Sequence, residues 1–127
     1  LDRIDIHADV PEIKVIDIKK DDSFIESSQI IAKRVEKARK MQEERYKSFN
    51  ISLNSQANGQ ILEKVTKLDL NSQNLLDLAA SNMGLSMRGY NRILRVSRTI
   101  ADLKNSQNIQ KEDIAEALSY RRMNYCR

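Results

Sequence analysis

Gly84-Leu85-Ser86-Met87-Arg88-Gly89-Tyr90-Asn91-Arg92-Ile93-Leu94-Arg95-Val96-Ser97-Arg98-Thr99-Ile100-Ala101-Asp102-Leu103 is the stretch that decides the fold class. It reads as one helix capped by Ser86, with Gly84 placed to stop the helix before it. At about 100° per residue, Arg88, Arg92, Arg95 and Arg98 fall within a sector of roughly 120°, and Asp102 joins them. Tyr90, Ile93, Leu94, Val96, Ile100 and Ala101 take the other side. The pattern predicts a helix buried along one side and lined by guanidinium along the other. Arginine forks match phosphate oxygens in geometry as well as charge, so the polar side suits phosphate or acidic surfaces. A merely solvated face fits the same four residues, and spacing alone does not separate the two readings.

Outward from this helix the chain stays helical. Three Gly and one Pro in 127 residues leave few breakers. Ser27 or Ser28 is placed to cap a long helix running to about Tyr46, with Ile30, Ile31, Val35, Ala38, Met41 and Tyr46 as its apolar stripe. Arg34 and Arg45 lie near that stripe. Residues 47–58 are rich in Asn and Ser and read as a loop. A short helix over residues 60–67 carries Ile61, Leu62 and Val65, followed by Leu68. The next, over residues 72–82, has Leu75, Leu76, Leu78, Ala79 and Met83 as its expected core face. A last helix is expected over residues 111–124, with Ile114, Ala117, Leu118 and Met123 inward.

The N-terminal segment reads differently. Ile4, Ile6, Ala8 and Val10 alternate with Arg3, Asp5, His7 and Asp9, a strand pattern that Pro11 ends. Residues 12–25 read as an extended linker, with Val15, Ile16 and Ile18 available for a second short strand. The predicted organisation is a strand and linker over residues 1–25 and a helical domain over residues 26–127. The fold class is mainly α, a helical bundle preceded by a severed β-strand. A lone strand leaves its backbone groups unpaired, so residues 1–25 are expected to be poorly ordered or paired locally.

The net charge of +4 is unevenly spread. Residues 1–26 hold eight acids and four bases, residues 27–47 seven bases and three acids, and residues 86–127 nine bases and four acids. An anionic partner suits that asymmetry, and an ordinary solvated surface accounts for it more simply. The lone Cys126 excludes an internal disulfide framework and fits a reducing cytosol. No apolar run approaches a membrane span and no signal peptide is visible, so a cytoplasmic location without membrane contact is expected. Leu1 stands where a complete protein would carry Met, so the chain is expected to be an excised piece.

Little catalytic material is present. Asp5, His7 and Asp9 share one strand face and offer ligand types suited to zinc or manganese. No further ligand is recognisable nearby, and such a ladder is common on a solvated strand, so no metal site is assigned. His7 is the only histidine, and no glycine-rich phosphate loop occurs. The arginines are the remaining chemistry, because guanidinium groups aimed at a transferring phosphoryl group stabilise its developing charge.

Four blocks resemble the C-terminal part of the magnesium-chelatase subunit I family of AAA+ ATPases, and within it the bacterial ComM (YifB) branch linked to competence. They are Leu1-Asp2-Arg3-Ile4-Asp5-Ile6-His7 with Val10-Pro11; Glu26-Ser27-Ser28 with Arg34-Val35, Ala38-Arg39, Gln42 and Arg45; residues 85–103; and Glu116-Ala117-Leu118-Ser119-Tyr120-Arg121. The resemblance implies that Arg3 is the arginine finger reaching the ATP of an adjacent subunit. It implies that Arg88 is the sensor 2 arginine of the helical lid, contacting the γ-phosphate. Arg92, Arg95 and Arg98 are then expected to be lid salt bridges or subunit contacts. ATP and Mg²⁺ would be bound by the parent protein rather than by this piece, whose family partners carry the phosphate loop and Walker B acids elsewhere. The implied assembly is a homo-oligomeric ring, a hexamer, and the implied function is ATP-driven DNA branch migration in natural transformation. Insertion of Mg²⁺ into protoporphyrin by a true chelatase, and a stand-alone basic DNA-binding module, are the alternatives. Ser97 and Met87 depart from the family's usual alanines and are expected on or near the packed face.

Overall fold

A computed structural model describes residues 6–8 and 27–121 of the chain. Among the described residues five helices follow one another: α1 (Ser28–Arg45), α2 (Gly59–Val65), α3 (Leu70–Met83), α4 (Met87–Leu103) and α5 (Lys111–Ser119), with a 3₁₀ turn (Asn54–Gln56) between α1 and α2. Their starts have visible causes. The side chains of Ser27, Asp69 and Ser86 accept hydrogen bonds from the amides of Ile30, Ser72 and Gly89, which relieves donors that a helix start leaves unpaired. At α5 an Asp113 carboxylate oxygen accepts from the Gln110 amide at 2.9 Å. Gly84 ends α3 in the left-handed region (φ 63°, ψ 42°), where a side chain would be strained.

α4 is the centre of the bundle. Its Ile93, Val96, Ile100 and Ala101 form one core with Leu76 of α3, Ile114 and Ala117 of α5, and Ile109 from the loop between. A smaller cluster of Tyr46, Ala57 and Leu62 closes the other side, with Leu94 packed against it. Burial of such side chains contributes about 1.5–3 kcal/mol each, the main favourable term in a helix bundle.

The expected two-sided α4 is corrected at its C-terminal half. Arg98 and Asp102 are buried, only 4% and 1% exposed. α1 and the 3₁₀ turn cover the side that spacing left open to an anionic partner or to solvent. Charge is tolerated there because it is paired. Asp102 accepts a two-pronged contact from Arg45 at 2.5 and 3.0 Å, a hydrogen bond from Asn54 Nδ2 at 2.9 Å, and lies 3.3 Å from Arg98 Nη2. Asn54 also donates to Thr99 Oγ1 at 3.0 Å and accepts from the Tyr46 hydroxyl at 2.7 Å, while its amide donates to Gln42. Arg98 completes its fork on the carbonyls of Gln107 and Ser106 at 2.9 and 2.8 Å. Two guanidinium groups share one carboxylate and respond oppositely. Burial and the neighbouring Arg45 lower the Arg98 pKa against the pull of Asp102. At Arg45 burial also opposes the charge, but the Asp102 contact prevails and the pKa rises. Both remain protonated at any ordinary pH. Burial lifts the Tyr46 phenol above its usual pKa, opposed by Arg45.

Other expectations are corrected in detail. Along the expected α1 stripe, Ala38 and Tyr46 (just past the helix end) are buried while Ile30, Ile31 and Val35 are exposed. Leu78 is 61% exposed because it sits about 200° around the helix from Leu76. α3 begins two residues before the expected Ser72, since Asp69 caps it. α5 ends at Ser119, where the amides of Tyr120 and Arg121 turn to the carbonyls of Ala117 and Leu118 three residues back, and residues 122–124 of the expected helix lie outside the described residues. Met123 lies outside the described residues. Residues 6–8 form no strand, and the rest of the expected strand and linker lies outside the described residues.

Two measurements check this account. Asp102→Ala strands buried Arg98 and part-buried Arg45 and is expected to cost about 3 kcal/mol, read as a lowered urea midpoint; a midpoint near wild type would refute the network's role. Hydrogen bonding from Ser72 holds the Asp69 carboxyl below its ordinary value of 3.8. The depressed pKa means that the cap's contribution is present above 3.8 and lost as pH falls through the lower folded value. The Ser72 amide shift is therefore expected to titrate with a midpoint below 3.8, and a midpoint at or above it would contradict the cap.

Candidate functional site

The turn between α3 and α4 sets the geometry of the basic edge. The amides of Gly84 and Leu85 both donate to the Ala80 carbonyl, so the chain reverses within two residues and Ser86 starts α4 at once. Ser86 Oγ accepts from Gly89 N at 3.1 Å and its carbonyl accepts from Tyr90 N at 2.8 Å. Helix starts leave further amide donors outside the intrahelical ladder, and the peptide dipoles make that end positive. Arg88 stands there, exposed on the first turn, and no hydrogen bond or ion pair joins it to the described residues.

The four arginines separate by depth along the helix. Arg88 is exposed and Arg92 half-buried. Arg95 donates from Nε to the Ala57 carbonyl at 2.8 Å and from its fork to the Asn58 side chain, which fastens the loop before α2. Arg98 belongs to the buried network around Asp102. Arg98 is thus a bridge within the helical domain, and Arg95 holds the backbone and side chain of the loop before α2. Only the N-terminal end of the arginine row offers an exposed guanidinium.

Other candidate residues fall where little is gained from them. Arg3, Asp5, Asp9 and Cys126 lie outside the described residues, and His7 is placed by its backbone bond to Tyr120. Among the described residues no group of three or more His, Cys, Asp or Glu could hold a metal ion. Gly89 and Arg121 were not singled out as a pair by spacing, since 32 positions part them; the structure brings the Arg121 fork onto Gly89 beside Arg88. Asn54 was hidden likewise, as one residue of a polar loop.

Residues 25–121 match the sequence profile of the family described as magnesium chelatase, subunit ChlI C-terminal. The chain belongs to this family. The match begins just before the Ser27 cap and ends on Arg121, so it spans the five helices. Competence protein ComM of Haemophilus influenzae is 39% identical over 97% of this chain, and the uncharacterized YifB proteins of Salmonella typhimurium and Escherichia coli are each 33% identical over 95%. The chain spans only about 23% of the length of these relatives. Within the ChlI C-terminal family, the two departures from alanine now have locations. Ser97 is fully buried and its hydroxyl donates to the Ile93 carbonyl at 2.7 Å, which satisfies it inside the core. Met87 is 73% exposed, off the packed face and contrary to expectation. No described helix is long and apolar enough to cross a membrane.

Ser86→Ala removes the cap of the arginine helix and is expected to cost about 1 kcal/mol, a fall of roughly 4–8 °C in Tm. Unchanged thermal unfolding would show that Ser86 does not hold this end of α4.

Proposed function

We propose that this chain is the lid segment of an ATP-hydrolysing AAA+ motor, with Arg88 as the sensor 2 arginine. The observation that carries the reading is the exposed Arg88 guanidinium on the first turn of α4, in a chain whose family is that of a chelatase ATPase subunit. The residues present fit a phosphate: a fork with fixed charge, at the positive end of a 17-residue helix, on a turn anchored by Ser86. When bound in the parent protein, ATP with Mg²⁺ supplies the phosphoryl group whose charge builds up during transfer. Arg88 would orient and neutralise that group, and the apolar packing of α4 would keep the guanidinium in place as the lid moves. Arg3 would act from the neighbouring subunit as the arginine finger, which makes a homo-oligomeric ring, a hexamer, the working assembly. The phosphate loop and the Mg²⁺-holding acids would be contributed from outside this chain.

The substrate reading rests on the relatives and on charge. One relative is named a competence protein, and the ring is proposed to drive branch migration of DNA during natural transformation in the cytoplasm. Exposed Lys33, Lys37, Arg39 and Lys40 on α1 support contact with an anionic polymer. The family's description keeps a second reading open, a true chelatase inserting Mg²⁺ into protoporphyrin. A stand-alone basic module would instead bind DNA as this isolated chain.

In the full-length parent, Arg3→Ala or Arg88→Ala is expected to lower kcat for ATP by about 10³-fold or more, with the unfolding midpoint unchanged. Wild-type hydrolysis by both variants would sink the assignment. Stimulation of the ATPase by branched DNA and not by a porphyrin separates the two substrates. Salt-sensitive DNA binding by the isolated chain would favour the module.

A further inference from the structure

We propose that Arg121 is the positioning residue for the first turn of α4, locking the backbone that carries Arg88 to the end of α5. Gly89 follows Arg88 directly and is buried. A Cβ built on Gly89 would lie 3.2 Å from Arg121 Nη2 and 3.3 Å from both Cζ and Nη1. Near-equal distances to three atoms of one planar group mean that the fork lies flat against the Gly89 α-carbon. Those distances are tighter than ordinary Cβ contacts, so an alanine here would have to displace the guanidinium.

The glycine is not there for a special turn, because Gly84 and Gly59 are the glycines with positive φ and Gly89 is not among them. It lies inside a helix, where glycine is less stable than alanine. What its missing side chain permits is the close approach of Arg121. The other side of Arg121 is equally constrained. Its amide donates to Leu118 at 3.1 Å, and α5 is buried against α4 through Ile114 and Ala117. The preceding carbonyl, of Tyr120, receives the His7 amide at 2.6 Å. Residues 120 and 121 therefore join three pieces: the α4 turn, the end of α5 and the segment 6–8. His7 of that segment lies four residues beyond Arg3 in the sequence, so the same node joins the stretch that follows Arg3 to the turn that carries Arg88, the two arginines assigned to ATP in the ring proposed above. This last step rests on the nucleotide reading, whereas the contact itself does not.

The test is a double-mutant cycle on this chain, with amide exchange of Tyr90, whose amide closes the first turn, as the readout. Arg121→Ala is expected to speed that exchange roughly five- to tenfold, and Arg121→Lys, which lacks the planar fork, to fail as a rescue. Gly89→Ala is expected to speed it in the wild-type background and to have no such effect once Arg121→Ala has cleared the space. Equal effects of Gly89→Ala in both backgrounds, or unchanged exchange in Arg121→Ala, overturn the proposal. In the full-length parent, Arg121→Ala is expected to raise KM for ATP several-fold with a smaller loss in kcat, because Arg88 is misplaced rather than removed. An inactive Arg88→Ala beside an Arg121→Ala of wild-type KM overturns the positioning role. A fully active Arg88→Ala overturns the nucleotide reading instead, and leaves the exchange result to decide the contact.

Discussion

The carboxylate of Asp102 is the constraint on which the rest of the domain depends. It sits at the end of α4 with its side chain wholly buried, and it accepts from Arg45 of α1 and Asn54 of the 3₁₀ turn while facing Arg98 of its own helix. An ion buried in this way is destabilising unless its partners are all present. Each partner comes from a different part of the chain, so the network specifies how α1 and the polar loop seat on α4. Apolar packing alone would tolerate some sliding of one helix along another. A carboxylate with fixed partners does not.

α4 consequently has two ends of different character. Near Asp102 its arginines are consumed by structure: Arg98 closes on loop carbonyls and Asp102, and Arg95 holds the loop before α2. Near Ser86 the helix start is held by a cap, a glycine stop and the Arg121 fork, and Arg88 stays outside. A rod held at both ends and presenting a cation at one of them is the arrangement on which the proposed lid role rests. The two ends answer to different physics. Burial decides the first, and local hydrogen bonding at the turn decides the second.

Much of the helix content was legible in residue order. Ser27, Ser86 and Gly84 act locally, through groups within four positions, and such signals survive without knowledge of the fold. The same holds for the periodic core of α4, where Ile93, Val96, Ile100 and Ala101 are all buried. Misreadings arose where periodicity describes a face without saying whether anything covers it. Ile30, Ile31 and Val35 continue a true stripe, yet no described residue buries them. Arg98 and Asp102 continue a polar stripe, yet α1 lies over them. For the candidate site, Arg88 was legible because its place on the first turn follows from the cap two residues earlier. Arg121 was not, since its contact with Gly89 depends on how α5 returns along α4.

Residue order by itself determined the helical class, the starts and stops of most helices, the position of Arg88 on a helix start and the family resemblance in four blocks. These are short-range matters of capping, backbone freedom and period. Only the tertiary structure decided which arginines are structural and which is exposed, where α5 ends, and that a glycine at position 89 makes room for a guanidinium 32 residues away. The reason is physical: the energy of a charged side chain depends on what surrounds it, and those surroundings are assembled from residues distant along the chain.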